Sequence, residues 1–122
     1  MTQKSKILVV DDEEALRTVL SGELSSEGYD VKSAGDGDEA IEVLENEAFD
    51  LVLLDIKMPR VNGFDVLKHV KETRPKTKVV MLTGFADLKN AIESKKLGAE
   101  DFVSKPYDLI DLLTTIERVL GE

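Results

Sequence analysis

Residues 49–59, Phe49-Asp50-Leu51-Val52-Leu53-Leu54-Asp55-Ile56-Lys57-Met58-Pro59, contain a block of branched apolar residues: Leu51, Val52, Leu53, Leu54 and Ile56. A run of this kind suits a strand buried on both faces, as in the middle of a parallel sheet. Asp55 interrupts the run near its C-terminal end, and Pro59 prevents further extension. A carboxylate there must look out of the sheet edge, into solvent or into a site. In open parallel sheets the C-terminal strand ends are where ligands bind. Taken alone, Asp55 is also the kind of residue that turns commonly use, so the rest of the chain has to decide between the two.

Length and composition narrow the choice. The chain has 122 residues, 42% of them hydrophobic, which suits one compact domain with one core. There is no cysteine, so a disulfide framework and a thiolate site are both excluded. Only Met1-Thr2-Gln3-Lys4-Ser5-Lys6 precedes the first apolar stretch. With neither a signal peptide nor a membrane-spanning run in view, a cytoplasmic location is the default expectation. The net charge of −9 opposes non-specific binding to nucleic acid or anionic lipid, and there is no basic stripe with interleaved aromatics to counter it.

Residues 6–10 (KILVV) read as a second buried strand, followed by the acids Asp11, Asp12, Glu13 and Glu14. Ala15, Leu16, Val19, Leu20 and Leu24 then recur at helical spacing as far as Gly28. The helix dipole favours acids at that start, which is reason enough for Glu13 and Glu14. A short strand is predicted over 29–33. Asp36-Gly37-Asp38-Glu39 resembles a capping box opening a helix that carries Ala40, Ile41, Val43 and Leu44. After the central strand, Asn62-Gly63 signals a turn, and Phe64, Val66, Leu67 and Val70 mark a helix ending before Pro75. A fourth strand spans 78–82, stopped by Thr83-Gly84. A helix over about 87–97 is closed by Gly98. A fifth strand covers 100–104 and ends in Lys105-Pro106. The last helix carries Leu109, Leu112, Leu113, Ile116, Val119 and Leu120. Five short buried strands alternating with five helices make an α/β protein, a parallel sheet with helices on both faces. With neither repeats nor linkers, residues 1–122 are expected to form a single domain.

The strand ends carry the chemistry. The first finishes in Asp11 and Asp12, the third in Asp55, the fourth in Thr83 and the fifth in Lys105. In a parallel sheet these ends share one edge, so three carboxylates, a hydroxyl and an ammonium converge on one crevice. Clustered carboxylates repel one another and call for a cation, and hard oxygen ligands suit Mg²⁺. A carboxylate can also accept a phosphoryl group as an acyl phosphate. A metal and a lysine would hold its oxygens during in-line transfer. Thr83 can present its hydroxyl to the new group, and Gly84 leaves room for backbone approach. Each residue also has a plainer explanation. Thr83 is a common type of strand residue, and Lys105 could be a surface lysine, although Pro106 argues for a constrained geometry. Met58 and Met81 read as core or loop filler.

With these motifs assembled, the chain resembles the receiver domain of two-component response regulators, similar to the chemotaxis regulator. The residues concerned are Asp11-Asp12, Leu54-Asp55, Met58-Pro59 with Asn62-Gly63, Thr83-Gly84, Leu97-Gly98-Ala99 and Lys105-Pro106. The resemblance implies a doubly wound, flavodoxin-like receiver fold with strand order 2-1-3-4-5. It implies a phosphorelay role, with Asp55 taking phosphoryl from a phosphohistidine on a sensor histidine kinase or a histidine phosphotransfer protein. Mg²⁺ would be bound by Asp12, Asp55 and the backbone carbonyl of Lys57, with Asp11 assisting through water. Lys105 would contact the phosphoryl group, and the Lys105–Pro106 peptide would be cis. Thr83 and Phe102 would form a switch pair, although Phe102 reads equally well as core. Such a domain modifies only itself and is not an enzyme toward external substrates. His69, the sole histidine, falls away from Leu67 and Val70 on its helix and is expected to be solvated, so the donor histidine belongs to a partner.

Some positions depart from patterns within the family. Two residues after Asp55 and two after Thr83, an acid or amide can help orient an attacking water. Here those residues are Lys57 and Phe85, so slow self-dephosphorylation is expected. The face formed by the fourth helix, fifth strand and fifth helix is the usual output surface, for an attached domain or a homodimer. Winged-helix regulators pair there through fixed charges. Asp101 and Asp111 fit that pattern, but Thr115 and Ala91 stand where basic residues are needed. Lys89, Lys95 and Lys96 make the fourth helix basic, which reads as a solvated face. Three alternatives share parts of the pattern. A magnesium-dependent aspartyl-phosphate phosphatase or phosphotransferase would place its nucleophile after the first strand and needs a cap. A flavodoxin-like electron carrier would need a phosphate-binding first loop, which Asp11, Asp12, Glu13 and Glu14 would repel. A receiver fold that binds partners without being phosphorylated would not need all five site residues.

Overall fold

The computed structural model describes residues 5–56, 58, 61–83 and 88–121; of the described positions, the side chains of 83, 88, 90 and 91 are left aside. The elements in chain order are β1 (Lys6–Val10), α1 (Glu14–Ser26), β2 (Asp30–Ala34), α2 (Gly37–Asn46), β3 (Leu51–Asp55), α3 (Gly63–Thr73), β4 (Lys78–Thr83), α4 (Leu88–Lys96), β5 (Asp101–Ser104) and α5 (Leu109–Leu120). All strand pairs are parallel, in the order β2-β1-β3-β4-β5. Both the fold class and the strand order expected from the sequence are therefore present.

The apolar runs behave as doubly buried strands. All five residues of β3 are buried, and successive side chains alternate between two cores. On one face Leu8, Val10, Val52, Leu54, Val79 and Met81 meet Ala40 and Leu44 of α2 and Val66, Leu67 and Val70 of α3. On the other, Ile7, Val9, Leu51, Leu53, Val80 and Leu82 meet Leu20 and Leu24 of α1 and Leu112 and Ile116 of α5. Met58 is buried in the first core, as the filler reading of the methionines suggested.

Local chemistry sets the element boundaries. Asp36 caps α2 by accepting from Glu39 N, and Glu39 Oε1 reaches back to Gly35 N, a capping box closed on the residue before the cap. Asn62 caps α3 and Asp108 caps α5 in the same one-sided way. Gly28 (φ 96°) follows α1, with Tyr29 N donating to Leu24 O and Gly28 N to Ser25 O. Gly98 (φ 101°) repeats that paired arrangement after α4, with Ala99 N donating to Ser94 O and Gly98 N to Lys95 O. The first of these caps consumes Tyr29, so β2 starts one residue later than the sequence suggested. Likewise β5 begins at Asp101 and β4 runs on through Thr83. The start proposed for the fourth helix, Asp87, lies outside the described residues.

Candidate functional site

Strand register assembles the site. Val10 pairs with Leu54, so Asp11 emerges beside Asp55. Asp55 pairs with Leu82, so Thr83 lies one step beyond it. Thr83 pairs with Ser104, which brings Lys105 to the same edge. Asp11, Asp12 and Asp55 each offer a carboxylate oxygen, and these oxygens all lie within 4.8 Å of one another. Asp11 and Asp55 are buried, at 1% and 5% exposure, whereas Asp12 is open to solvent.

Lys105 Nζ donates to Asp11 Oδ2 at 2.6 Å and stands 3.8 Å from Asp55 Oδ2. Burial works to lower the Lys105 pKa. The Asp11 hydrogen bond and the charges of Asp55, Asp11 and Glu13 outweigh it, so the pKa is raised above its ordinary value. Asp11 Oδ1 also accepts from Glu13 N at 2.9 Å, so both of its carboxylate oxygens are engaged. Half-buried Tyr107 lies next in space, its pKa raised mainly by burial although Lys105 opposes the shift. The Lys105–Pro106 peptide bond is cis, in agreement with the expectation.

The donor set suits a hard divalent cation. Three carboxylates share one small volume with a single lysine, and the exposed Asp12 leaves one side open to solvent, so an ion could keep part of its water. The Lys57 carbonyl, Gly84, Phe85 and the Thr83 side chain lie outside the described residues, so the expectations for them have no structural counterpart. Phe102 is half-buried, paired with Met81 across the ladder and packed against the first core.

One expectation needs correcting. His69 is half-buried rather than solvated, and its Nε2 is enclosed with no hydrogen-bond partner among the described residues. Position 69 is three residues after buried Val66, so it borders the apolar stripe of α3 instead of opposing it. Two contacts at the site were not visible in the sequence. Arg17 Nη1 donates to the Asp11 carbonyl at 2.7 Å. Gly63 approaches so closely that a Cβ there would lie 2.3 Å from the Asp55 carbonyl oxygen. A basic residue near the start of a helix was a possible signal for the first, since the dipole disfavours it.

Known proteins share this fold. The response regulator receiver domain family matches residues 7–117. A CheY-like response regulator receiver domain protein from Methanospirillum hungatei superposes with a TM-score of 0.93 at 37% identity, covering 98% of this chain and 95% of that one. Chemotaxis protein CheY4 of Vibrio cholerae gives 0.90 at 34% identity, covering 96% and 99% of the two chains. The probable transcriptional regulator ycf27 of Porphyridium aerugineum is 40% identical over 118 residues, 97% of this chain and 49% of that protein. Regulatory protein AtoC of Escherichia coli is 35% identical over 120 residues, 98% of this chain and 26% of that protein. The chain thus spans about half, or about a quarter, of the length of these curated relatives. No described helix is long and apolar enough to cross a membrane. With a family match over nearly its whole length and receiver-domain structures superposing closely on it, the chain belongs to the response regulator receiver domains of two-component signalling.

Proposed function

We propose that Asp55 is the phosphoacceptor of a phosphorelay, supplied by a phosphohistidine on a sensor histidine kinase or a histidine phosphotransfer protein. The observation that carries this is a buried carboxylate, Asp55, set beside a lysine, the already engaged Asp11 and the open Asp12 at the sheet's C-terminal edge. An Asp55 oxygen attacks phosphorus, the O–P bond forms as the P–N bond to histidine breaks, and the imidazole leaves. Lys105, 3.8 Å from Asp55, moves its ammonium from Asp11 toward the phosphoryl oxygens. Asp12, Asp55 and the Lys57 carbonyl would hold Mg²⁺, with Asp11 acting through water; both oxygens of Asp11 already have donors, which suits an indirect role. When bound, Mg²⁺ neutralises charge on the transferred group. Thr83 then turns toward the phosphoryl group and Phe102, half-buried and packed against the first core, responds.

Residues 1–122 act as one receiver module in the cytoplasm, turning over no external substrate and binding neither nucleic acid nor membrane. Output passes through the α4-β5-α5 face, to an attached domain or a second copy. Asp101 on that face is paired with Arg118 of its own chain, which argues against the charge-paired dimer of winged-helix regulators. Intact mass after incubation with Mg²⁺ and acetyl phosphate tests the assignment. One phosphoryl group is expected on the wild type and none on Asp55→Asn. A wild type that stays unmodified with acetyl phosphate, phosphoramidate and a phosphorylated kinase would overturn it in favour of a receiver that only binds partners.

A further inference from the structure

We propose that Arg17 is a positioning residue for the cation site: its guanidinium holds the Asp11 carbonyl and thereby aims the Asp12 carboxylate at Asp55. The proposal rests on the crevice being a Mg²⁺-assisted phosphoacceptor site.

Arg17 is the fourth residue of α1, and a positive charge so near a helix N-terminus works against the helix dipole. Glu13 and Glu14, beside it in sequence, are the charges the dipole favours there. A favourable interaction must offset the mismatch, and the hydrogen bond from Nη1 to the Asp11 carbonyl, 2.7 Å long, supplies it. Asp11 lies one residue beyond the last pair of the β1–β3 ladder; its N–H still donates to Ala34 O at 3.2 Å, whereas its carbonyl is held by the Arg17 side chain. Its carbonyl belongs to the peptide leading into Asp12, so fixing that carbonyl fixes the direction in which Asp12 leaves the strand. The Asp11 carboxylate is held separately, by Glu13 N and Lys105.

Gly35 completes the arrangement. A Cβ at position 35 would stand 3.1 Å from Arg17 Nη1, 3.4 Å from Cζ and 3.5 Å from Nη2, so the guanidinium lies directly against this glycine. A larger residue would have to push it aside. The β1 end, the loop after β2 and the first turn of α1 are thereby joined through one side chain.

Positioning and simple charge predict opposite signs. A cation near a cation site weakens metal binding by repulsion, so loss of the charge alone would raise Mg²⁺ affinity. Loss of positioning lowers it, and partners one shell out from metal ligands commonly cost about 10- to 100-fold in affinity when removed.

The test is Mg²⁺ titration by calorimetry on wild type, Arg17→Ala, Arg17→Lys and Gly35→Ala, with far-UV circular dichroism confirming the fold of each. Arg17→Ala is expected to lose roughly tenfold in affinity. Arg17→Lys keeps the charge without the fork and should fall in between. Gly35→Ala keeps the arginine but displaces it, and should lose affinity by a smaller factor. Labelling by acetyl phosphate should need more Mg²⁺ for half-maximal rate yet reach the wild-type rate at saturation. Unchanged or raised affinity in folded Arg17→Ala overturns the proposal. Should that variant not fold, wild-type affinity in both Arg17→Lys and Gly35→Ala overturns it as well. A wild type that binds no Mg²⁺ instead removes the metal site itself, an outcome read directly from the wild-type titration.

Discussion

Lys105 shows how several small influences settle one side chain's behaviour. Burial alone would drive it toward neutrality, but Asp11 and Asp55 hold the proton on. A folded-state pKa above the unfolded value means that the lysine's contribution to stability is fully present below about 10.5 and is lost as pH rises through the folded value. Removing it by Lys105→Met should cost about 2 kcal/mol at neutral pH, the range for a hydrogen bond to a charged group. Urea unfolding of both proteins across pH should show a constant gap from neutrality to about 10 that narrows only above that. A gap that closes below pH 9 would contradict the pairing. A second expectation at this scale concerns the lifetime of the phosphoryl group. Lys57 and Phe85 offer no acid or amide to orient water, so an acyl phosphate on Asp55 should persist for minutes or longer; decay within seconds in Mg²⁺ buffer, followed by intact mass, would refute it. Asp11, Asp12, Asp55 and Lys105 were legible because each is a polar residue ending an apolar run. Arg17 was not read, because its partner is a backbone carbonyl, and its one mark in the sequence is a basic residue near a helix N-terminus, where the dipole disfavours it.

Among the elements, α3 starts directly against the end of β3 at Asp55. Asn62 accepts from Asp65 N at 3.1 Å to cap the helix, and Gly63 N donates to Ile56 O at 2.9 Å. The Asn62-Gly63 pair reads in the sequence as a turn signal, which is true but incomplete. The glycine is needed because α3 starts against the end of β3, where a Cβ would meet Asp55 O at 2.3 Å and Ile56 Cα at 2.8 Å. Backbone atoms cannot give way as a flexible side chain can. Gly63→Ala should therefore destabilise by about 3 kcal/mol, the upper part of the usual range for overpacking. Asn62→Ala should lose only the cap, about 1 kcal/mol. Urea denaturation ranks the two, and equal losses would mean that the strand end yields to the added methyl. Where the sequence misplaced an element end, as at Tyr29, a helix cap had claimed the residue first. Hydrophobic period locates an element well, but its last residue is decided by hydrogen bonds that periodicity does not encode.

Across the whole molecule, the strand order and the two cores were legible because β1, β3 and β4 are apolar on both faces while the amphipathic helices cover them. The same architecture gathers like charge. Parallel strands all end at one edge, so a sheet that stabilises itself everywhere else brings Asp11, Asp12 and Asp55 within 4.8 Å there, with Lys105 as the one cation paired to them among the described residues. The domain's stability should therefore be lowest at its own site and depend on what occupies it. In chelator, Asp12→Asn relieves one repulsion and should raise the melting temperature; about 1 kcal/mol corresponds to roughly 3–5 °C in a domain of this size. Mg²⁺ should raise the wild-type value further as its concentration climbs, by about 2.7 kcal/mol at a hundredfold excess over Kd. Asp12→Asn should lose most of that response, so the order of the two melting temperatures reverses between chelator and saturating Mg²⁺. Thermal unfolding in both buffers decides it. If Asp12→Asn melts below the wild type in chelator, the carboxylates are not in mutual conflict, and the cluster owes its geometry to its hydrogen bonds alone. If the order reverses, the repulsion that strains the crevice in chelator also accounts for its affinity for the cation.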